Sequence, residues 1–160
     1  VTMFGRVYRY ENGGFDGSIR LWDYAVREIV FIGSPEYVKK KLNQMKAETK
    51  RIITEIGLPA EIREAHDHFY PSKKNKLREK IQIANQTKDE LIVVIDGKEV
   101  AISSFNYHGT QFSKTFHFDN QNRTVTGCVG YGLERWVAAI KAYNIKLKEL
   151  DIGNLLSRGR

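Results

Sequence analysis

Between residues 127 and 135 the chain reads Gly127-Cys128-Val129-Gly130-Tyr131-Gly132-Leu133-Glu134-Arg135, and no other stretch constrains the fold as much. Valine and tyrosine favour a strand, whereas glycine weakens one and marks a place where something approaches the backbone closely. The three glycines, Gly127, Gly130 and Gly132, read as alternating along a strand, which is expected to strip one sheet face of side chains so that a flat ligand can rest on main chain. A tightly packed strand crossing would need them equally. The stretch runs into a helix over 133–142, whose Trp136, Val137 and Ile140 form an apolar face. Arg135, just past the bare surface, can hold a polyphosphate or cover an aromatic base. The dinucleotide fingerprint differs, because its glycines lie in the turn itself. A Gly-x-x-x-x-Gly-Lys loop for a Walker-type phosphate site is absent from the sequence.

The remaining chain reads mostly as antiparallel strands. Residues 3–11 alternate and are rich in aromatic and β-branched side chains, Asn12-Gly13-Gly14 signals a turn, and 19–32 reads as the return strand of a long hairpin. Ser34 and Pro35 then suit the start of a helix over 34–56, in which Val38, Leu42, Met45, Ile52, Ile53 and Ile56 recur on a helical period. Its exposed side is basic (Lys39, Lys40, Lys41, Lys46, Lys50, Arg51), which reads first as a solvated face. Strands are expected at 60–65, 91–95, 98–105, 112–118 and 124–131, with Asp96-Gly97 as a hairpin turn and 72–80 as an exposed polar excursion. The pattern predicts an α+β fold: an antiparallel β-sheet flanked by two principal helices, forming one core over 1–150 with a tail at 151–160.

Composition narrows the class of partner. The 160 residues carry 26 Lys plus Arg against 19 Asp plus Glu, a net charge of +7 that favours an anionic partner such as a nucleotide, a nucleic acid or an acidic protein. No run reaches the roughly 18 apolar residues of a membrane span, so no membrane association is expected. One cysteine, Cys128, excludes an internal disulfide framework and fits a reducing, cytoplasmic compartment. The chain starts at Val1 in an apolar segment and reads as part of a longer protein.

A second constellation is Arg9-Tyr10-Glu11 at the end of the first strand. Residues i and i+2 share a strand face, so Arg9 offers a guanidinium fork for a phosphate beside Glu11, an acceptor for an amino group. A cross-strand ion pair on a solvated face would look the same. Together with Arg20-Leu21-Trp22-Asp23-Tyr24, however, this segment resembles motif 2 of the class II aminoacyl-tRNA synthetases, and Gly127 through Arg135 resembles their motif 3, in the expected order. The resemblance covers about residues 3–145 and implies an antiparallel sheet that binds bent ATP with Mg2+. It places Arg9 on the α-phosphate, Glu11 at the adenine amino group or its loop, and Tyr24 on one adenine face. Arg135 would take the other face and reach the γ-phosphate, with Arg20 and Gly132 completing the ATP site. Motif 1, a dimer-interface element of that family, is absent, and a homodimer is implied for the full-length protein.

The likeness extends to the amino acid:[carrier protein] ligases, relatives of the methanogen-type seryl-tRNA synthetases. It rests on Tyr24-Ala25-Val26-Arg27-Glu28-Ile29-Val30-Phe31-Ile32-Gly33, on Ser103-Ser104-Phe105-Asn106-Tyr107-His108, and on Thr126-Gly127-Cys128-Val129-Gly130. These ligases load a small amino acid onto the phosphopantetheine thiol of an acidic carrier protein. By that resemblance Glu28 and Cys128 match two of three Zn2+ ligands, and the third, an upstream cysteine, has no counterpart here. Zinc would leave one position for the neutral amine of the substrate. Without the family, Cys128 is a thiol in an apolar strand and reads as a small buried hydrophobe. Asp67, Asn106 and Gly130 fall in segments resembling the substrate pocket. Where the classical seryl synthetases carry a glutamate just before Ser103-Ser104, this chain has Ala101. His66, Asp67, His68, His108 and His117 suggest a metal cluster by type only, since His-x-His is frequent by chance.

The expected function is ATP-dependent activation of a small amino acid to its adenylate, followed by transfer to a carrier-protein thiol, with Arg9 and Arg135 as the catalytic residues. A seryl-type tRNA synthetase core, with tRNA as the acceptor, and a non-catalytic synthetase-like regulatory paralogue are the alternatives.

Overall fold

The computed structural model describes residues 1–8, 19–66, 87–118 and 123–146. Six antiparallel strands form one sheet: β1 (Thr2–Tyr8), β2 (Asp23–Gly33), β3 (Ala60–Glu64), β4 (Lys88–Ile95), β5 (Lys98–Gly109) and β6 (Val125–Gly132). Their spatial order is β1-β2-β6-β5-β4-β3. The last strand in sequence, β6, is therefore inserted between the two hairpins, and its glycine-bearing length lies at the middle of the sheet. Three helices complete the described chain: α1 (Pro35–Glu55), α2 (Gln111–Phe116) and α3 (Leu133–Ala142).

Helix α1 starts where the sequence places it. The Ser34 hydroxyl accepts from the Tyr37 amide at 3.2 Å, Pro35 follows at the first helical position, and Gly57 takes a left-handed φ of 69° just beyond the end. Val38, Leu42 and Ile53 are buried on one side of α1 against Phe105, Val125 and Val129 of the sheet. Burying each such side chain contributes roughly 1.5–3 kcal/mol. The Tyr131 hydroxyl meets Thr49 of α1 at 3.1 Å, and Trp136 of α3 donates to Ser103 Oγ at 2.9 Å. Tyr131 and Ser103 are paired across β6 and β5, so α1 and α3 cover the same face.

Gly127 explains how α1 comes so close. A Cβ there would lie 2.9 Å from Val38 Cγ1 and 2.9 Å from the Asn106 carbonyl oxygen. Of the three motif glycines, this one serves the packing of a helix, as a tight crossing requires, and not a ligand surface. Gly130 and Gly132 alone lie on the other face, because residue 127 is an odd number of positions away from them. The expectation that all three clear one face is corrected accordingly.

Much of the basic side of α1 is engaged locally. Lys46 pairs with Asp89, Arg51 with Glu48 and Glu55, and the Lys39 ammonium lies 5.4 Å from the Tyr107 ring centroid.

A further expectation fails at 112–118, which is not a strand. The alternation Phe112, Lys114, Phe116, Phe118 has the period of a strand, but 111–116 is helical. Helical spacing stacks Phe112 on Phe116 with centroids 6.3 Å apart, the Ser113 hydroxyl donates to the Thr110 carbonyl, and His117 ends the turn at φ 53°. The chain thus leaves the sheet at Gly109 and returns at Val125. Strand β5 is longer than expected, running to Gly109, and β4 starts earlier, at Lys88. The return strand begins only at Asp23, leaving 19–22 outside the sheet. Arg9, Glu11, Asp67 and His68, the hairpin tip, the excursion at 72–80 and the tail at 151–160 lie outside the described residues.

Replacing Gly127 with Ala should destabilise the protein by about 1–3 kcal/mol, the penalty of overpacking against a backbone oxygen that cannot yield. Equilibrium denaturant unfolding measures this; wild-type stability in Gly127→Ala would contradict the close approach of α1.

Candidate functional site

The face away from α1 and α3 carries the polar residues. Strand pairing places them in rows that cross the sheet. One row runs Glu28, Gly130, Ser104, Glu90, Arg63 through β2, β6, β5, β4 and β3. The next runs Val30, Cys128, Asn106, Lys88. Directly paired residues of antiparallel strands share a face, so the side chains in these rows rise on one side. Gly130 lies in the middle of the first row without a side chain. A Cβ there would meet only Ser104 Oγ at 3.5 Å and Val26 Cγ2 at 3.9 Å, ordinary contacts. Among the described residues no closer atom fills the space above the Gly130 main chain, in contrast to Gly127.

Toward the start of α3 the same face continues into a cleft lined by Ile19, Leu21, Tyr24, Gly132, Glu134 and Arg135. Tyr24 opens β2 and Gly132 ends β6, so the turn from β6 into α3 places Glu134 and Arg135 at the sheet's end. Both carboxylate oxygens of Glu134 accept from the Ala25 amide at 2.9 Å, which extends the β2–β6 ladder by one side chain. The Arg135 guanidinium donates from Nε to the Ile19 carbonyl at 3.0 Å and from Nη1 to the Ala101 carbonyl at 2.8 Å. Ile19 and Ala25 flank the 20–24 segment, so the two side chains tie both ends of that segment to the helix start.

Cys128 is the centre of the second cluster. Its Sγ is 3.6 Å from His108 Nε2 and 3.7 Å from Asn106 Nδ2, and Asn106 Nδ2 also donates to Ser104 Oγ at 3.1 Å. Burial, reinforced by the adjacent Glu28 carboxylate, pushes the Cys128 thiol up to about 12. Burial also lowers the His108 imidazole below its usual range, against a smaller opposing effect of Glu28, and its Nδ1 is 3.0 Å from Thr126 Oγ1. The pocket around Glu28 therefore holds one carboxylate, a neutral thiol and a neutral ring.

The structure brings together Tyr24, Gly132 and Arg135 in the cleft, and Glu28, Cys128, Gly130 and Asn106 on the adjoining floor. Arg20 is exposed one residue from Ile19. His108 belongs to the floor, whereas His117 is exposed at the end of α2 and His66 follows β3. Among the described residues no group of three His, Cys, Asp or Glu is spaced to hold a metal ion. Glu28 and Cys128 supply two donors, fewer than a stable zinc site uses.

Sequence reasoning missed the partners or roles of four residues. Glu134 was visible beside Arg135, but its partner, a backbone amide 109 residues away, was not. His108 falls in a segment of the carrier-protein ligase likeness and among the scattered histidines, but no sequence signal sets it beside Cys128. Lys88 and Glu90 form an i, i+2 pair that shares a strand face, a signal lost because the strand was expected to start at residue 91.

Known proteins bear out this architecture. The family described as tRNA synthetase class II core domain (G, H, P, S and T) matches residues 1–144. The chain belongs to this family. Members use ATP and Mg2+ and bind an amino acid. The chain is 32% identical over 145 residues to the type-2 serine–tRNA ligase of Methanocaldococcus jannaschii, covering 86% of this chain and 28% of the relative. It is 30% identical over 125 residues to amino acid–[acyl-carrier-protein] ligase 1 of Bradyrhizobium diazoefficiens, covering 76% of this chain and 38% of the relative. Among solved structures, the M. kandleri SerRS in complex with A. aeolicus tRNASec superimposes with a TM-score of 0.72 at 26% identity, over 89% of this chain and 30% of that one. The chain thus spans about a third or less of the structure and about two fifths or less of the curated relatives it matches. No helix among the described residues is long and apolar enough to cross a membrane.

Two outcomes test the site's geometry. Gly130→Ala should leave stability within about 0.5 kcal/mol of wild type, unlike the same change at residue 127, because its Cβ meets only ordinary contacts. Cys128 should alkylate slowly at pH 8, with a rate that climbs toward pH 12. The folded thiol keeps its proton where an unfolded one, near 9.0, has lost it, so this group's contribution to stability is lost as pH rises from about 9 to about 12. Stopped labelling at a series of pH values checks it; labelling at the rate of a free thiol at pH 8 would contradict the burial.

Proposed function

We propose that the protein containing this chain activates a small amino acid with ATP, and that the residues up to about 150 form one catalytic core. The observation that carries this reading is continuity. The cleft of Tyr24, Gly132 and Arg135 and the bare, carboxylate-bearing floor at Glu28 and Gly130 share one sheet face, so a nucleotide in the first lies beside an amino acid on the second.

In this reading Tyr24 stacks on the adenine and Gly132 lets the nucleotide approach the main chain. Arg135 exchanges one carbonyl partner for phosphate oxygens, with Arg9, Glu11 and Arg20 assigned to the same nucleotide from the motif 2 pattern. Glu28 faces the substrate ammonium over Gly130, Asn106 borders it, and Asp67 is assigned to the substrate by resemblance alone. The amino acid's carboxylate oxygen attacks the α-phosphorus. A phosphorus–oxygen bond forms, the bond to the β-phosphate oxygen breaks, and pyrophosphate leaves with its electron pair. No general base is needed, because the nucleophile is already ionised. What the protein contributes is alignment and positive charge at the transition state, to which Mg2+ adds when bound. Glu28 and Cys128 are the donors this chain would offer to zinc; with two donors, no step here runs through that metal.

The relatives support two acceptors. The serine–tRNA ligases favour a tRNA, and the Bradyrhizobium ligase favours an acyl carrier protein, whose phosphopantetheine thiol is the acceptor in this reading. In either case the acceptor attacks the adenylate carbonyl, its proton is lost and AMP leaves. A homodimer in the cytoplasm accompanies this reading.

ATP–pyrophosphate exchange by the full-length protein, with glycine, alanine and serine in turn, tests the activation step. Exchange with at least one of them is expected, and Arg135→Ala should lower it at least about a hundredfold. Radiolabelled amino acid then separates the acceptors, by its appearance on total tRNA or on a holo carrier protein. No exchange, together with no ATP binding by calorimetry, would favour a regulatory paralogue.

A further inference from the structure

Glu134 has no part in the steps above, yet it is joined to the peptide unit that carries Tyr24. Val26 and Gly132 are the last pair in the ladder between β2 and β6. Beyond them β6 turns into α3, so no further residue of β6 faces Ala25. Both carboxylate oxygens of Glu134 lie 2.9 Å from the Ala25 nitrogen and accept its hydrogen. That nitrogen and the Tyr24 carbonyl belong to one planar peptide unit. Pairing with Val7 of β1 holds the strand at Tyr24, so the grip on the Ala25 amide fixes the direction in which the Tyr24 ring leaves β2. The Arg6–Asp23 ion pair, at 2.8 Å, flanks Tyr24 on its other side, but both side chains are well exposed and such pairs hold little. A carboxylate accepting from an amide in a half-buried place is the stronger hold.

Resting on the activation reading, we propose that Glu134 is a positioning residue for the nucleotide: through the Tyr24–Ala25 peptide it sets the plane of the Tyr24 ring, and with it the affinity for ATP. Tyr24 and Glu134 line the same cleft. An offset stack needs two nearly parallel planes, so a ring that can tilt loses part of its contact with a base. An acid in the first turn of a helix has a second use, which is to complement the helix dipole, and Glu134 stands in the first turn of α3. The two uses make different demands. The dipole needs a negative charge and tolerates a shorter side chain. The Ala25 amide needs an acceptor at the reach of a glutamate, and a neutral amide oxygen also accepts.

The test uses the full-length protein with Glu134→Asp, Glu134→Gln, Tyr24→Ala, and Tyr24→Ala combined with Glu134→Asp. Exchange gives the KM for ATP and for the amino acid, and calorimetry gives the Kd for ATP. Glu134→Asp keeps the first-turn charge of α3, so the helix forms, but its carboxylate falls short of the amide. It should raise the KM and Kd for ATP about tenfold or more, with the KM for the amino acid within about twofold. Glu134→Gln should stay within about threefold of wild type in all three constants, because its amide oxygen reaches the same hydrogen. In the Tyr24→Ala background the Asp change should raise the Kd for ATP by less than about twofold, since the ring it positions is gone. ATP affinity that falls as far with Gln as with Asp, that holds with Asp, or that drops again by the full factor in the double variant overturns the proposal. If wild type binds ATP but exchanges no amino acid, the activation reading fails by itself, and the Kd values decide on Glu134 by the same criteria. A wild type that binds no ATP overturns both.

Discussion

Helix α1 lies against the sheet because residue 127 has no side chain. A methyl there would be 2.9 Å from a valine and from a backbone oxygen. This contact fixes which face of β6 is covered, and β6 lies between β2 and β5, so it fixes the sheet's covered face as a whole. The period of two along a strand then dictates the rest. Tyr131 and Val129 must face the helices, and Cys128, Gly130 and Gly132 must face away from them. One steric constraint thus leaves a bare strip of main chain on the face that can take a ligand.

The first turn of α3 completes the geometry by bonding to backbone, not to side chains. Glu134 takes the Ala25 amide and Arg135 takes the carbonyls of Ile19 and Ala101. Bonds to backbone tie the helix to three chain segments whatever side chains those segments carry. They also hold the guanidinium at the cleft's edge. A phosphate oxygen is a stronger acceptor than a carbonyl. In the activation reading proposed above, a nucleotide phosphate replaces one of the carbonyl contacts of Arg135.

Much of this was legible in the sequence. The hairpin turn at Asp96-Gly97, the Ser34 cap and Pro35 start of α1, and the strand-to-helix passage at Gly132-Leu133 each have a local cause that one side chain announces. The failures are non-local. Residues 112–118 alternate as a strand would, but Phe112 and Phe116 stack at helical spacing, a choice that depends on where the chain must turn after Gly109. The three motif glycines look alike in sequence, and only the position of Val38 and Leu42 separates Gly127 from Gly130. At the site, the residue types at 24, 28, 128, 130, 132 and 135 were readable, whereas their neighbours Ser104, His108 and Lys88 enter through strand register, which no short sequence window contains.

Register also explains why the two ends of the floor differ in character. On one side of Gly130 stands Glu28, a half-exposed carboxylate beside a thiol that burial keeps protonated. On the other, the carboxylate of Glu90 is occupied by a buried ammonium. A substrate cation is drawn to the carboxylate whose charge is not already neutralised at contact distance, and Glu90 is neutralised by Lys88. The two acidic groups in one row thus differ in electrostatics without differing in chemistry, and in the activation reading proposed above the substrate ammonium lies toward β2.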